Sequence, residues 1–206
     1  MRKYEQQYYF LVKPTEDERL PSLSPDDNTS DKNYDFEYFP VGSPPFIFFN
    51  GAKEYNKKRN IPSLKTVPSI LFDGKNLLIS NSMRESILAL NIPNLHMHQS
   101  VYIHDDGEWY ENYWYMTFVD RLDCWSKSKS DFDKEEEPIR SGGFELFAVY
   151  KFYFDEGILD SIPQSQRLLF KMGGAVNALI VCHESILDIF KSGNRGGVEF
   201  IQVGDY

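Results

Sequence analysis

Residues 68–99 read PSILFDGKNLLISNSMRESILALNIPNLHMHQ, and the order of patterns in this stretch decides the fold. Two apolar runs, at residues 70–72 and 77–79, flank a glycine turn and are typical of a β-hairpin. Apolar residues then recur at helical spacing between residues 82 and 90, which predicts a helix with one face to bury. The apolar run at residues 95–99 completes a unit of hairpin, helix and return strand.

A second copy of this unit lies in residues 168–202, which read LLFKMGGAVNALIVCHESILDIFKSGNRGGVEFIQ. An apolar run, a glycine turn, another apolar run, a helix and a strand follow in the same order, so we expect an internal repeat. Three sets of matching positions support the alignment: Ile70 with Leu168, the tetrapeptide Glu-Ser-Ile-Leu at residues 85–88 and 184–187, and Gln99 with Gln202.

Both predicted helices carry boundary signals. Ser82 and Glu85 have the spacing of a capping box, which places the start of the first helix at Ser82. Gly193 follows Lys191 and Ser192 as a helix-stop signal in the second copy. Because neither unit buries its apolar face alone, both helices are expected to pack against strands.

The rest of the chain is predicted from aromatic and β-branched runs. Residues 108–119 and 144–155 are expected to form the middle of the sheet. Further strands are expected at residues 4–12, 34–39 and 46–49, with a long loop at 14–32 and a weak helix or loop at 53–60. The predicted fold class is α+β, with one mainly antiparallel sheet covered by a few helices. Residues 1–66 are expected to form an N-terminal arm of strands and acidic loop, packed on a main domain of residues 67–206.

The chain is acidic, with 22 lysines and arginines against 31 aspartates and glutamates, a net charge of −9 and a pI near 5.0. Its field repels nucleic acid and anionic membranes and attracts basic partners, so we expect neither nucleic acid nor a membrane as partner. Because no apolar run has the length of a signal peptide or a membrane span, we expect a cytoplasmic protein. We accordingly interpret Cys124 and Cys182 as reduced thiols.

Asp120 and Asp123 follow a predicted strand and are the main candidates for acid–base or metal chemistry. Since no third ligand or nucleophile lies at a telling interval, we prefer the interpretation that Asp120, Asp123 and Ser126 cap the turn that leaves this strand. His96 and His98 are expected to share one side of a strand. A histidine pair without a nearby cysteine or paired carboxylate is a weak metal signal.

The glycine clusters lack the spacing of a nucleotide-binding loop. Gly173 and Gly174, and residues 193–197, match neither the phosphate-loop nor the dinucleotide pattern, so we interpret them as turns. The sequence also contains no nucleophile elbow, no His-Glu-x-x-His helix and no paired Cys-x-x-Cys motif. We therefore expect no cofactor, no metal ion and no catalytic site.

Carboxylates beside aromatic side chains supply the candidate docking residues. The first group, in a predicted turn, is Asp105, Asp106, Glu108, Trp109 and Tyr110, and the second is Tyr34, Asp35, Glu37 and Tyr38. Both groups, like the acidic run at residues 131–137, also fit solvated loops. As docking residues, they would meet a basic partner through electrostatic steering and a few buried aromatic anchors.

Six segments, in order along the chain, form a pattern similar to that of a known family: Pro68-Ser-Ile-Leu71, Leu78-Ile-Ser80, Tyr113 to Ser126, Leu169-Phe-Lys-Met172, Ile180-Val181 and Gly197-Val-Glu-Phe200. Over residues 68–206 the chain resembles immunity protein family eleven, a bacterial family of myxobacterial type found beside polymorphic toxin genes. The clearest part is the Val-Asp-x-x-Asp-x-x-Ser pattern at residues 119–126. The chain departs from the family at Lys171, where an arginine is expected, and in its N-terminal third.

The resemblance implies a cytoplasmic antidote that binds a cognate toxin domain encoded by a neighbouring gene. We expect it to dock an acidic, aromatic surface on the toxin and so block the toxin's active site or the approach of its substrate. No catalytic residues are implied, and Asp120, Asp123 and Ser126 are then structural. Two alternatives stay open: an enzyme that reverses the toxin's modification with Asp120, Asp123 and His96, and an adaptor module of a secretion system. The sequence also leaves the toxin's identity and homodimer formation open.

Overall fold

The computed structural model describes residues 3–32, 37–192 and 197–206. The predicted α+β class is confirmed: the described residues form antiparallel-dominated sheets with a few short helices. The strands are β1 (Tyr8–Val12), β2 (Leu23–Pro25), β3 (Phe46–Asn50), β4 (Ile70–Asp73), β5 (Asn76–Ser80), β6 (Leu95–Ile103), β7 (Trp109–Phe118), β8 (Asp131–Phe132), β9 (Ile139–Ser141), β10 (Phe144–Leu146), β11 (Val149–Lys151), β12 (Leu169–Lys171), β13 (Ile180–His183) and β14 (Glu199–Gln202). The helices are α1 (Asp27–Ser30), α2 (Lys53–Lys58), α3 (Asn81–Leu88), α4 (Glu156–Ser161) and α5 (Leu187–Ser192).

Two large sheets replace the single sheet that the sequence predicts. The six-stranded sheet has the order β2-β3-β6-β7-β5-β4, and the four-stranded sheet has the order β12-β13-β1-β14. All neighbouring strands in them are antiparallel except β3 and β6, which are parallel. The strands β9 with β10, and β8 with β11, form two further sheets of two strands each.

The predicted repeat is present as two copies with the same order of elements. The first copy is β4, β5, α3 and β6, and the second is β12, β13, α5 and β14, where a 3-10 turn at Glu184–Ile186 precedes α5. In neither copy does the return strand pair with the hairpin. A strand from elsewhere in the chain lies between them and is antiparallel to both, namely β7 in the first copy and β1 in the second.

The registers of the two copies match across these central strands. In the first copy, Met116 of β7 pairs with Leu77 on one side and Met97 on the other. In the second copy, Leu11 of β1 pairs with Ile180 and Phe200. With Met116 equivalent to Leu11, Met97 is equivalent to Phe200. Gln99 and Gln202 each lie two residues further along their strands and are therefore equivalent, as predicted.

The predicted alignment is wrong in the first strand and in the helices. Ile79 and Cys182 are equivalent, since each lies two residues after the equivalent pair Leu77 and Ile180. Ile70 pairs with Ile79 and Leu169 pairs with Cys182, so the residue equivalent to Ile70 is Leu169 rather than Leu168. The Glu-Ser-Ile-Leu tetrapeptides also differ in position, because one lies inside α3 and the other opens the 3-10 turn before α5. Matching apolar residues at helical spacing do not fix which turn of a helix they occupy.

The predicted capping box is also wrong. The helix α3 begins at Asn81 and its N-cap is Ser80, which makes no side-chain capping hydrogen bond. The hydroxyl of Ser82 instead lies 2.9 Å from that of Ser80. The predicted stop residue, Gly193, lies outside the described residues, and α5 ends at Ser192.

Residues 144–155 do not form the middle of a sheet, contrary to the prediction. Their aromatic side chains, including Phe152 and Phe154, pack against one face of the four-stranded sheet, where Tyr8 and Phe10 meet them. The aromatic residues of this segment are therefore buried because they cover the four-stranded sheet, and not because they form a strand in its middle. Only β7, of the two predicted central segments, has that place.

The N-terminal third is more regular than the sequence predicts. The predicted loop at residues 14–32 contains β2 and α1, and of the two possibilities left open for residues 53–60, a weak helix or a loop, the structure has a helix, α2. Part of the predicted strand at residues 34–39 lies outside the described residues, and residues 37–39 have no regular structure. Because β1 is central in one sheet and β3 pairs with β6 in the other, strands of the N-terminal third complete both. A domain boundary at residue 66 stays a prediction.

Three apolar cores hold the sheets together. The first contains side chains from both large sheets and from α3 and α5, among them Ile79, Met116, Leu169 and Phe190. The second lies on the other face of the four-stranded sheet, and the third, with Phe48 and Tyr102, on the other face of the six-stranded sheet. Each large sheet is therefore covered on two sides over part of its area.

The two cysteines lie in different cores. Cys124 and Cys182 are free and buried, and burial raises the pKa of both thiols. None of the helices in the described part of the chain has both the length and the apolar character needed to cross a bilayer.

Candidate functional site

The turn between β6 and β7 carries five of the predicted docking residues. It is closed by backbone hydrogen bonds from the N–H of His104 to the carbonyl of Glu108 and from the N–H of Gly107 to the carbonyl of His104, both 2.9 Å. The Asp106 carboxylate accepts a further bond from the Glu108 N–H at 2.9 Å. The turn is therefore held in one shape at the end of two long strands.

Two of these five residues fasten the turn to the sheet. Asp105 accepts hydrogen bonds from the side chains of Asn50, at 3.2 Å, and Ser63, at 2.6 Å. The Tyr110 hydroxyl donates to Glu108 at 3.0 Å. The pKa of Tyr110 is raised mainly by burial and in addition by the Glu108 carboxylate. Its ring lies 6.1 Å from that of His104. Both side chains therefore have structural contacts that hold them in place.

Trp109 belongs to a row of apolar side chains that crosses three strands. Phe49 of β3 pairs with Ile103 of β6, and Ile103 pairs with Trp109 of β7. Directly paired residues project from the same face of a sheet, so the three side chains are neighbours. Trp109 is 56% exposed and Phe49 is 41% exposed. We call Phe49, Ile103 and Trp109 the apolar row.

The opposite face of the sheet under the apolar row is buried. Phe48 and Tyr102, which alternate with Phe49 and Ile103 along their strands, are fully buried in the third core. Burial raises the pKa of the Tyr102 phenol. Packing of Phe48 and Tyr102 in the third core thus holds the strands that carry the apolar row, and the row is a rigid surface.

Three exposed carboxylates lie close to Trp109 in the chain, at the end of β6 and β7. Asp106, Glu108 and Glu111 precede or follow Trp109 and are all exposed. Asp106 accepts the Glu108 N–H and Glu108 accepts the Tyr110 hydroxyl, so these two carboxylates lie on the Tyr110 side of the turn, and all three charges are exposed to solvent. This end of the sheet therefore carries both the exposed apolar row and three exposed carboxylates, Asp106, Glu108 and Glu111, which we call the acidic rim.

The described residues of the second predicted docking group, Glu37 and Tyr38, lie away from the first group. Tyr34 and Asp35 lie outside the described residues. The ring of Tyr38 lies 5.4 Å from that of His96, and Glu37 precedes it in the chain. His96 and Ile103 are seven residues apart on β6, which separates them by roughly 20 Å at the rise of an extended strand. The first group is therefore the better-defined site.

Asp120, Asp123 and Ser126 hold the loop that leaves β7. Asp120 accepts the backbone N–H of Arg121 at 2.8 Å, and the N–H of Ser126 donates to the Tyr153 carbonyl at 2.6 Å. Asp123 packs so closely on Gly174 that a β-carbon there would lie 2.6 Å from its carboxylate. Burial raises the pKa of Asp123.

The two strand histidines lie under the segment at residues 37–46. His98 is buried, its Nε2 lies 2.9 Å from the Pro44 carbonyl oxygen, and the backbone N–H of Phe39 donates to His96 Nε2 at 3.4 Å. Burial lowers the pKa of both imidazoles, helped by His98 in the case of His96 and by Lys32 in the case of His98. No group of three or more His, Cys, Asp or Glu side chains within residues 3–32, 37–192 and 197–206 is placed to hold a metal ion.

The three residues of the enzyme alternative contact different parts of the protein. His96 lies against Phe39, Asp120 lines a cleft with Pro93, and Asp123 packs on Gly174. A shared substrate position for the three is therefore not evident in the contacts of the described residues. An enzyme function stays a prediction.

Neither the family models nor the curated proteins offer a match for this chain. The resemblance to immunity protein family eleven stays a prediction that rests on the motif residues alone.

Sequence reasoning found Trp109 but missed its two neighbours in the apolar row. Ile103 and Phe49 are single apolar residues at strand ends, and such residues are common on protein surfaces. The available signal was the apolar run at residues 46–49, because in a strand successive side chains alternate between faces, which puts Phe46 and Phe48 on one face and Phe49 on the other. No sequence pattern near β3 or β6 predicts that these two strands pair in parallel.

Proposed function

We propose that this protein is an immunity protein that binds a cognate bacterial toxin domain and neutralises it by covering its active site. The observation that carries the proposal is the apolar row, with its acidic rim, on a rigid sheet. Exposed tryptophan and phenylalanine side chains supply binding energy when a partner buries them, and carboxylates at the rim select the partner's charge. The motif resemblance described above supports the same function.

The charge of the surface argues for a basic partner. Asp106, Glu108 and Glu111 add a local negative potential to a molecule whose net charge is −9. A toxin that acts on nucleic acid needs a basic active-site face, and such a face is complementary to this rim. Electrostatic attraction then raises the association rate, and the apolar row supplies the contacts that slow dissociation.

The rigidity of the turn favours tight binding. The β6–β7 turn is closed by backbone hydrogen bonds, and Asp105 ties it to Asn50. A surface that is already ordered loses little conformational entropy when a partner docks. The proposal therefore requires no rearrangement of the described residues.

The test is binding to the C-terminal toxin domain encoded by the neighbouring gene, measured by calorimetry together with inhibition of toxin activity. Trp109→Ala is expected to weaken binding about thirtyfold or more, as for a hot-spot residue. Tyr150→Ala is the matched control, since Tyr150 is a surface aromatic residue with 61% exposure on β11, away from the apolar row. It is expected to leave the dissociation constant nearly unchanged.

Three results would contradict the proposal. Equal weakening by the two substitutions would remove the apolar row as the docking site. Multiple-turnover reversal of the toxin's modification, without a lasting complex, would favour the enzyme alternative. A stable complex in which the toxin remains fully active would favour the adaptor alternative.

A further inference from the structure

We infer a second binding site, for a small phosphate-bearing ligand, in a cleft between the two copies of the repeat. The cleft has a volume of about 390 Å³ and lies where the β4–β5 turn faces the loop between β12 and β13. Lys75, Arg121 and Lys171 line it from three separate segments of the chain.

The cleft is positive in a strongly negative protein. Among its lining residues, which all belong to the described part of the chain, Asp73 is the single carboxylate against three cations. The chain as a whole carries a charge of −9. Three cations in one cleft are therefore unexpected from the acidic composition of the chain. A concave surface concentrates the electric field of these cations on a bound anion.

Two of the three cations are buried. Lys171 is 2% exposed and Arg121 is 9% exposed. Withdrawing such charges from water is costly, and proteins retain them mostly where hydrogen bonds, opposite charges or a ligand compensate. The ammonium of Lys171 donates to the side-chain oxygen of Asn76 at 2.6 Å, which holds it in a defined position at the base of the cleft.

The comparison of the two copies shows that packing alone does not require a lysine here. Phe72 pairs with Leu77 in the first copy, and Lys171 pairs with Ile180 in the second. Since Leu77 and Ile180 are equivalent, Lys171 has the position of Phe72, which is buried in the first core. The second copy thus places a charge where the first copy places an apolar ring.

The rest of the cleft wall combines polar and apolar residues. Asn76 and Ser141 add neutral hydrogen-bonding groups to the lining. The Lys75 ammonium donates to the Val176 carbonyl at 2.5 Å and so joins the two sides of the cleft. Ala178, also on the wall, has a φ of +21°, a conformation that residues with a β-carbon rarely adopt and that tends to occur at functional sites.

These features fit phosphate better than other anions. A guanidinium and two ammonium groups together match the several oxygens and the multiple charge of a phosphoryl group. The volume is at the lower end of the range for small-molecule sites, which suits one or two phosphate groups. The site is also separate from the apolar row, because Tyr115, next to Asn76, and Trp109 are six residues apart on β7, or roughly 20 Å.

The experiment is calorimetric titration of the full chain with inorganic phosphate and with pyrophosphate, at an ionic strength held constant with sodium chloride. We expect saturable binding with one site per chain. Lys75→Ala, which removes an exposed cation of the cleft, is expected to weaken binding about tenfold, as for one charge-assisted hydrogen bond. Lys58→Ala, an exposed lysine on α2 outside the cleft, is the matched control and is expected to have no effect.

Lys171→Met serves as a second variant, since it puts an apolar chain of similar length in the position of Phe72. If it folds, as judged by circular dichroism, binding should fall at least as much as in Lys75→Ala. Tighter binding of pyrophosphate would indicate a ligand with two adjacent phosphates, and equal affinities a single phosphate. The site is ruled out if no saturable heat develops up to about 10 mM of either anion, or if Lys58→Ala weakens binding as much as Lys75→Ala.

Discussion

The ammonium nitrogen of Lys171 lies 2.6 Å from the side-chain oxygen of Asn76, and this contact joins a strand of the four-stranded sheet to a strand of the six-stranded sheet. The Asn76 amide also donates to the Tyr115 hydroxyl at 2.7 Å, and that hydroxyl donates to Asp73 at 3.0 Å. A polar chain of four side chains thus connects the two copies of the repeat beside their shared apolar core.

Asn76→Ala is expected to destabilise the protein by about 2–4 kcal/mol, because it removes one hydrogen bond to a buried charge and one to a phenol. Urea denaturation monitored by tryptophan fluorescence measures the change. Asn112→Ala is the control, since Asn112 is exposed on β7, and it is expected to change the free energy of unfolding by less than about 0.5 kcal/mol. Similar losses in the two variants would mean that the polar chain does not stabilise the fold.

Acid is expected to destabilise the protein through its histidines. Burial lowers the folded-state pKa of His98, as well as those of His96 and His183, so the unfolded chain binds more protons than the folded chain just below the ordinary histidine pKa. The free energy of unfolding should therefore fall as the pH drops from about 7.5 to about 5.5.

His98→Gln keeps a donor for the Pro44 carbonyl but does not titrate, so the loss of stability over this pH range should be smaller in the variant than in the native chain. It should not vanish, because His96 and His183 remain. Urea denaturation at the two pH values measures the difference. An identical loss of stability in both proteins would rule out His98 as a contributor.

Gly197→Ala is expected to destabilise the protein by about 1–3 kcal/mol, the usual effect of forcing atoms into a packed region. A β-carbon at this position would lie 2.3 Å from the Ile70 carbonyl oxygen and 2.8 Å from Pro68, so the segment before β14 would have to move away from β4. Thermal denaturation measures the loss.

Gly157→Ala is the control for that substitution. Gly157 is in α4, and the nearest atom to its β-carbon would be a side-chain oxygen of Asp155 at 3.3 Å. Alanine favours the helix over glycine, so the melting temperature should stay the same or rise. A greater loss in Gly157→Ala than in Gly197→Ala would contradict the packing argument.

A fragment of residues 67–206 is expected to lose cooperative unfolding. It lacks β1, so β13 and β14 would lose the strand that pairs with both, and Tyr8 and Phe10 would be missing from the second core. Adding residues 1–66 as a separate chain should restore the transition, which denaturation followed by circular dichroism measures. A cooperative transition of the fragment alone would instead support an independent main domain.

The elements that the sequence predicts well are those with local signals. The hairpin, helix and return strand of each copy follow from apolar periodicity within a few tens of residues, and both copies are present. The alignment of Ile70 with Leu168 is off by one position, because strand pairing rather than residue similarity sets the register. Likewise, the aromatic residues 144–155 were assigned to a sheet that they cover.

Long-range pairing explains most of what the sequence could not predict. Nothing near residues 8–12 indicates that they lie between β13 and β14, which are far away in the chain. For the candidate docking site, Trp109 was predicted from its own chemistry and its acidic neighbours. Phe49 joined it only through the parallel pairing of β3 with β6. The phosphate cleft has the same origin, since its three cations come from distant segments.

The place of β1 in the four-stranded sheet also has a consequence for biosynthesis. Residues 8–12 leave the ribosome before residues 199–202, which pair with them, and more than 180 residues lie between the two segments. The first copy can assemble during translation, because β4 through β7 are close together in sequence. The second copy cannot pair its strands until β13 and β14 have been made, so until then β1 has two unpaired edges of the kind that favours aggregation.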